Sequence, residues 1–193
     1  MAALVAAGCG GSSGGSTQAR LTNESQSIVL GQRDVGPSYQ LIAPDTRSKS
    51  LRSELQDESG RARAADRRSW LGGYMATYAR PGSVVISIAA NYRNASDAGI
   101  SVSDPVGLST FTREFDAHAI AAPSQAPGQH GWMGVGTTKI EGRRYDVRMY
   151  LWQHSRAIGA VLVVGNGDST ANVLRLARKE DMHMSNLIAA GLV

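Results

Sequence analysis

Four histidines, His118, His130, His154 and His183, are the chain's general-base and metal-ligand candidates. None has the HExxH or His-x-His spacing that aims two imidazoles at one zinc ion. Glu114 and His118 would stand one turn apart on a continuous helix and could share a cation, although such pairs are more often surface hydrogen bonds. No Gly-x-Ser-x-Gly elbow presents a nucleophile, so a hydrolytic site would have to be assembled from dispersed residues. Val163-Val164-Gly165-Asn166-Gly167-Asp168 sets Gly-x-Gly between a strand and a helix. It lacks the third glycine and the acidic residue ~20 positions on that a dinucleotide fingerprint needs, and reads as a tight turn with a helix cap. No catalytic residue, metal ligand or cofactor is therefore nominated.

The best binding arrangement is a strand over 144–154. Its period-two alternation sets Tyr145, Val147, Met149 and Leu151 on one side and Asp146, Arg148, Tyr150, Trp152 and His154 on the other. Arg148, Tyr150, Trp152 and His154 would then project side by side, offering aromatic planes and a fixed charge as a candidate ligand-binding face. The same alternation fits a face covered by a helix or loop, with the aromatics in the core, and that is the commoner outcome.

The elements that must carry this strand follow from the hydropathy pattern. A Gly36-Pro37 turn delivers a short strand, Tyr39 to Ala43, ended by Pro44. Ser48 to Ser69, with Leu51 and Leu55 a turn apart, predicts a surface helix interrupted near Gly60. Its basic cluster, Arg61, Arg63, Arg67 and Arg68, is interleaved with Asp57, Glu58 and Asp66 on a solvated face. Tyr74 to Ala79 and Val84 to Tyr92, joined at Arg80-Pro81-Gly82-Ser83, form a hairpin whose second strand is apolar on both sides and so lies centrally. Asp104-Pro105 starts a helix with Leu108, Phe111 and Phe115 as its buried stripe, and 121–131 is a loop. Trp132 to Ile140, Arg144 to His154 and Ala157 to Val164 make a three-strand meander. Asp168 or Ser169 caps a closing helix, Thr170 to Ala190, with Val173, Leu174, Ala177, Met184, Leu187 and Ile188 buried and Arg175, Arg178 and Lys179 in water. The expectation is an α+β domain: an antiparallel sheet of five to six strands, a hairpin plus a meander, with two to three helices packed on it.

With 193 residues, 42% hydrophobic and 19% charged, the chain suffices for one domain. A net charge of +4 is too mild for a polybasic nucleic-acid binder, so no nucleic-acid partner is expected. The longest apolar run, about eight residues, is far short of the ~20 that span a bilayer. The single cysteine, Cys9, follows an apolar run and the small residues Ala6-Ala7-Gly8, and precedes a Gly/Ser-rich stretch. This resembles the lipobox of bacterial lipoproteins. The resemblance implies lipidation of Cys9, a truncated signal over 1–9, a tether over 10–27 and one extracytoplasmic domain over 28–193.

Ile28 to Val193 resembles small secreted lipoproteins of actinobacteria and related bacteria. The resemblance rests on Asp34-Val35-Gly36-Pro37-Ser38-Tyr39, Gly72-Gly73-Tyr74-Met75-Ala76-Thr77-Tyr78, the strand ending in Asn91-Tyr92, Gly131-Trp132-Met133-Gly134-Val135-Gly136, and the Gly-Asn turn before the closing helix. It implies a curved antiparallel sheet with helices against it, loosely like PsbP-type domains, and supplies no catalytic residues. The function expected is a non-enzymatic binding or accessory domain of the cell envelope, anchored to the membrane through Cys9 and facing outside the cytoplasm, with a small molecule, a lipid or an envelope protein as partner. The rival is an envelope hydrolase or transferase with a dispersed active site.

Overall fold

The computed structural model describes residues 23–49, 60–166 and 169–192. The lipobox with Cys9, most of the tether, and Leu51, Leu55, Asp57 and Glu58 lie outside the described residues, as do the side chains of Arg61, Arg63 and Leu108.

The sheet grows from its two most apolar strands. β3 (Trp70–Arg80) and β4 (Ser83–Tyr92) form the expected hairpin, with Gly82 taking the left-handed conformation (φ 76°) that the turn requires. β6 (Gln129–Ile140), β7 (Arg143–His154) and β8 (Ala157–Gly165) form the meander. β8 closes onto β4, from Ser83 opposite Gly165 to Asn91 opposite Ala157, so the two strands that are apolar on both sides lie centrally.

Three short strands extend the edges. β1 (Gln40–Leu41) and β2 (Arg47–Lys49) pair with β3, and β5 (His118–Ala121) pairs with β6. Among the described residues there are eight strands, in the order β1-β3-β4-β8-β7-β6-β5 with β2 beside β3, all pairs antiparallel. This exceeds the five to six expected, because edge strands of two to four residues are too short for alternation to register. The strand expected over Tyr39 to Ala43 shrinks to β1. Tyr39 turns into the core, and Ala43–Asp45 is a 3-10 turn with Pro44 inside it. Ser48 belongs to β2 rather than to a helix.

Helices cover both faces of the sheet. Helix α5 (Thr170–Ala189) crosses one face, capped by Ser169, whose Oγ accepts the Asn172 N–H. Val173, Leu174, Leu176, Ala177 and Met184 are buried, whereas the expected Leu187 and Ile188 are half-exposed. These residues pack on Ala76, Tyr78, Val85, Ala89, Val161 and Trp152. Gly159 has no side chain because Trp152 and the end of Met184 fill the space, at 2.5 and 2.6 Å from where a Cβ would stand.

The N-terminal segment seals this face. Ile28 and Leu30 are buried, and Leu30 N–H donates to Ser87 Oγ at 2.9 Å. Ser25, in α1 (residues 23–28), donates to the Gly72 carbonyl and accepts from Asn91.

The other face carries α2 (Gly60–Ser69), α3 (Ala95–Val102) and α4 (Pro105–Glu114), over two smaller apolar clusters around Tyr92 and Phe111. α4 starts at Asp104-Pro105 as expected. α3 was not expected: Ala95-Ser96-Asp97-Ala98-Gly99 has weak helix propensity and only Asp97, Ala98 and Val102 are buried, so tertiary contacts decide it. Asp66 corrects the solvated-face expectation for α2. It is buried and accepts the Ser101 hydroxyl at 2.6 Å. Among the described residues no helix is long and apolar enough to cross a membrane.

Candidate functional site

Both ends of α3 are pinned, and what lies beside the pinned helix is a cleft. At its start Asn94 Oδ1 accepts the Asp97 N–H at 2.8 Å, while the Asp97 carboxylate receives Asn94 Nδ2 and Arg68 Nε at 2.9 and 3.1 Å. The Arg68 guanidinium holds Asp97 below the usual carboxylate range, with Asn94 and Ser69 assisting against the burial that opposes it. At its end, Trp132 Nε1 on β6 donates to the Val102 carbonyl at 3.2 Å.

The cleft, about 510 Å³, is walled on the helical side by Ala95, Ser96, Gly99 and Ile100 of α3 and by Ser103, Asp104 and Pro105 at the junction with α4. Gln129 and His130 of β6 and Gln153 of β7 form the strand side. Its volume falls in the ordinary range for small-molecule sites, roughly 300 to 1,000 Å³.

Three features distinguish this cleft from a packing defect. Gln153 is 97% buried, being 3% exposed, and its Nε2 donates to the carbonyls of Ala95 and Ser155, both at 2.7 Å. Two carbonyl partners fix which end of the amide is nitrogen, so the other atom is an acceptor, and this Oε1 has no hydrogen-bond partner. It stands beside Gly99, 2.9 Å from where a Cβ would be. His130 adopts a left-handed backbone, φ 51°, which is uncommon outside glycine. The register between β6 and β7 also slips between Gln129 and Trp132, a bulge of the kind that re-aims side chains next to sites.

The candidate face on β7 is divided by the structure. Tyr150 and Trp152 are stacked rings, 5.2 Å between centroids, buried under α5 and the 122–128 loop. Tyr150 donates to the Pro127 carbonyl at 2.7 Å, and burial, with the Asp181 charge second, pushes its phenol up to about 12. Trp152 Nε1 donates to Asp181 Oδ1 at 2.9 Å. His154, half-exposed, has Nδ1 2.8 Å from the same oxygen, and Arg148 donates to the carbonyls of Gly136 and Val147. The four side chains share one side of β7, but the two aromatic planes are interior, and none of the four lines the cleft.

Glu114 and His118 do not share a helix. α4 ends at Glu114, and His118 opens β5. Among the described residues no group of three His, Cys, Asp or Glu side chains could hold a metal ion. The cleft residues escaped sequence reasoning because Gln153 sits on the side of β7 whose other members are apolar. Asp104 was legible only as a helix start.

No protein-family model and no curated protein matches the chain. Among solved structures, it is similar to the extracellular domain of PknH from Mycobacterium tuberculosis. The TM-score is 0.58 at 10% identity, and the match covers 86% of this chain and 96% of that one. At that identity the two chains share a fold.

Proposed function

We propose that this protein is an extracytoplasmic accessory domain, held at the membrane by a lipidated Cys9, that binds a small polar ligand in the cleft between α3 and β7. One observation carries the binding role: a cleft of about 510 Å³ lies between α3 and the strands, its strand wall built from Gln129, His130 and the buried Gln153 at a bulge. The lipobox-like Ala6-Ala7-Gly8-Cys9 and the fold shared with an extracellular domain support the location.

The enzymatic alternative has one point in its favour, the hydrogen bond that orients His154 against Asp181. Neither residue lines the cleft, which weighs for binding.

Two measurements test the proposal. Cys9→Ser in the full precursor is expected to move the protein from the membrane to the soluble fraction. Unchanged fractionation would remove the anchor from the reading. Native mass spectrometry of protein taken from its own membranes is expected to show a small adduct that is lost in Ser96→Trp, where an indole enters the cleft from an exposed position. An adduct retained in that variant would place the ligand elsewhere.

A further inference from the structure

We infer that a cavity beside the start of α5, on the face opposite the cleft, is a second binding site, where the phosphate group of a phosphorylated ligand is held between Arg80 and Arg175. The cavity holds about 330 Å³. Val35, Val85 and Leu176 in its lining are buried, and Arg80, Ser169 and Arg175 bring its donors. Each guanidinium is seated by neighbours that leave its charge uncompensated. Arg80, at the end of β3, lies over the Tyr39 ring, 4.7 Å from the centroid, and the Tyr39 hydroxyl is itself fixed by a 2.9 Å hydrogen bond with Ser83 Oγ. Arg175 donates from Nη2 to Asn172 Oδ1 at 2.9 Å and from Nη1 to the Asp34 carbonyl at 3.5 Å, both uncharged acceptors. Among the described residues no carboxylate pairs with either arginine, and none lines the cavity. The Asp34 carboxylate is engaged elsewhere: it accepts the Gly31 N–H at 2.8 Å and stands 3.7 Å from both Lys179 and His183.

Two cations facing one void repel each other, and an anion between them replaces that repulsion with two attractions. The donors select phosphate among anions. A guanidinium is a planar fork that engages two oxygens of a carboxylate or phosphate at once. A carboxylate has two oxygens in one plane and a single charge, enough for one fork. A phosphate monoester has three terminal oxygens in a tetrahedral array and close to two charges, and so answers two forks that arrive from different elements, β3 and α5. Ser169 adds a donor: its Oγ accepts the Asn172 N–H, and its hydroxyl hydrogen is left to point at the ligand. That Asn172 amide is already capped, so the pair of guanidiniums, rather than the start of the helix, holds the anion. The volume lies near the lower end of the roughly 300 to 1,000 Å³ of small-molecule sites, which leaves room for a phosphate and a small attached group. A dissolved phosphate compound and a lipid headgroup present the same group.

The test is an NMR titration of the full chain, with Cys9 unacylated, by inorganic phosphate, glycerol 3-phosphate and acetate at constant ionic strength, beside cosedimentation with phosphatidylcholine vesicles with and without phosphatidic acid. A phosphate compound is expected to bind saturably. In solution it should shift the backbone signals of Ser169 and Asn172 and the side-chain Nε–H signals of Arg80 and Arg175, while acetate leaves them in place and Gly99 and His130, in the cleft on the other face, stay unmoved. Saturation by the dissolved phosphates supports the site with a soluble ligand, and retention on phosphatidic acid vesicles alone supports it with a lipid headgroup. In either case Arg175→Gln, at an exposed position, should weaken binding by about tenfold or more without changing the melting temperature. If that variant proved destabilised, Arg80→Gln, also at an exposed position, supplies the second. Unchanged affinity in the variant that keeps its stability would overturn the site. So would acetate saturating the same signals as tightly as phosphate, phosphate moving Gly99 and His130 instead, or silence of every probe. None of these outcomes bears on whether the cleft beside α3 binds its own ligand.

Discussion

Among the buried side-chain oxygens of the described residues that lack a hydrogen-bond partner, Glu180 Oε1 and Gln153 Oε1 lie on opposite faces of the sheet and mean different things. Glu180 Oε1 lies under α5, in the face sealed by that helix and by Ile28 and Leu30. Its sister oxygen accepts from Ser87, which in turn accepts from Leu30 N–H, so the carboxyl ties helix, sheet and N-terminal segment together inside a filled core. Burial pushes this carboxyl well above its ordinary range, with the Ser87 hydrogen bond pulling the other way. The folded carboxyl therefore holds its proton to higher pH than a free glutamate does. Gln153 Oε1, on the opposite face, stands in the wall of a cleft. An orphaned polar atom in a dry core reports how packing was achieved. The same kind of atom enclosed against Gly99, in a residue that also walls a cleft, marks where the cover of the sheet is incomplete.

The contrast between sealed and open faces is broken or sharpened by four substitutions. The largest effect belongs to Leu176→Ala under α5, expected to cost roughly 2 to 5 kcal/mol because a cavity is left in a filled core. Ile100→Ala at the half-exposed cleft should cost less than about 1 kcal/mol. Equal denaturant midpoints for the two would erase the distinction.

Next is the acidity of the sealed face. The folded carboxyl of Glu180 binds its proton more tightly than the unfolded one, whose ordinary value is 4.5. As pH rises above that value the unfolded chain releases a proton that the native state retains, so this group's contribution to stability falls with rising pH until the folded carboxyl itself ionises. Glu180→Gln should remove that slope. The wild-type-minus-variant difference in unfolding free energy, measured by urea denaturation from pH 4 upward, should become steadily less favourable to the wild type. A difference independent of pH would show that Glu180 is not held neutral.

The smallest expected effect is on the open face. His130→Gly frees a left-handed backbone position and should raise stability by up to about 1 kcal/mol, offset in part by the greater freedom of glycine in the unfolded chain. The same change should reduce the small adduct seen by native mass spectrometry, since His130 lines the cleft. A gain in stability with no loss of binding would make His130 a structural accident.

Much of the fold was legible in the sequence. The Pro81-Gly82 turn, the meander and the two-sided apolar strands β4 and β8 stand where the hydropathy pattern placed them, and α5 buries Val173, Leu174, Ala177 and Met184 of its expected stripe but not Leu187 and Ile188. The losses have physical causes. β1, β2 and β5 are too short to show a period, and α3 has weak propensity and is held by Arg68, Asn94 and Trp132 from outside itself. The cleft was not legible. Its strand wall joins residues 129, 130 and 153, brought together by a bulge that no pattern announces, and its helical wall is the helix that propensity missed.

The β7 residues show where the boundary between sequence and tertiary structure falls. Alternation alone determined that Arg148, Tyr150, Trp152 and His154 share one side of a strand, because the pleat repeats every two residues. Which side water reaches was decided only when α5 and the 122–128 loop folded over Tyr150 and Trp152, while α3, pinned at both ends, left a gap beside Gln153. Local periodicity is set by covalent geometry and is written in each residue's neighbours. Exposure depends on which distant element arrives to cover a face, and that is settled by the sum of all contacts at once.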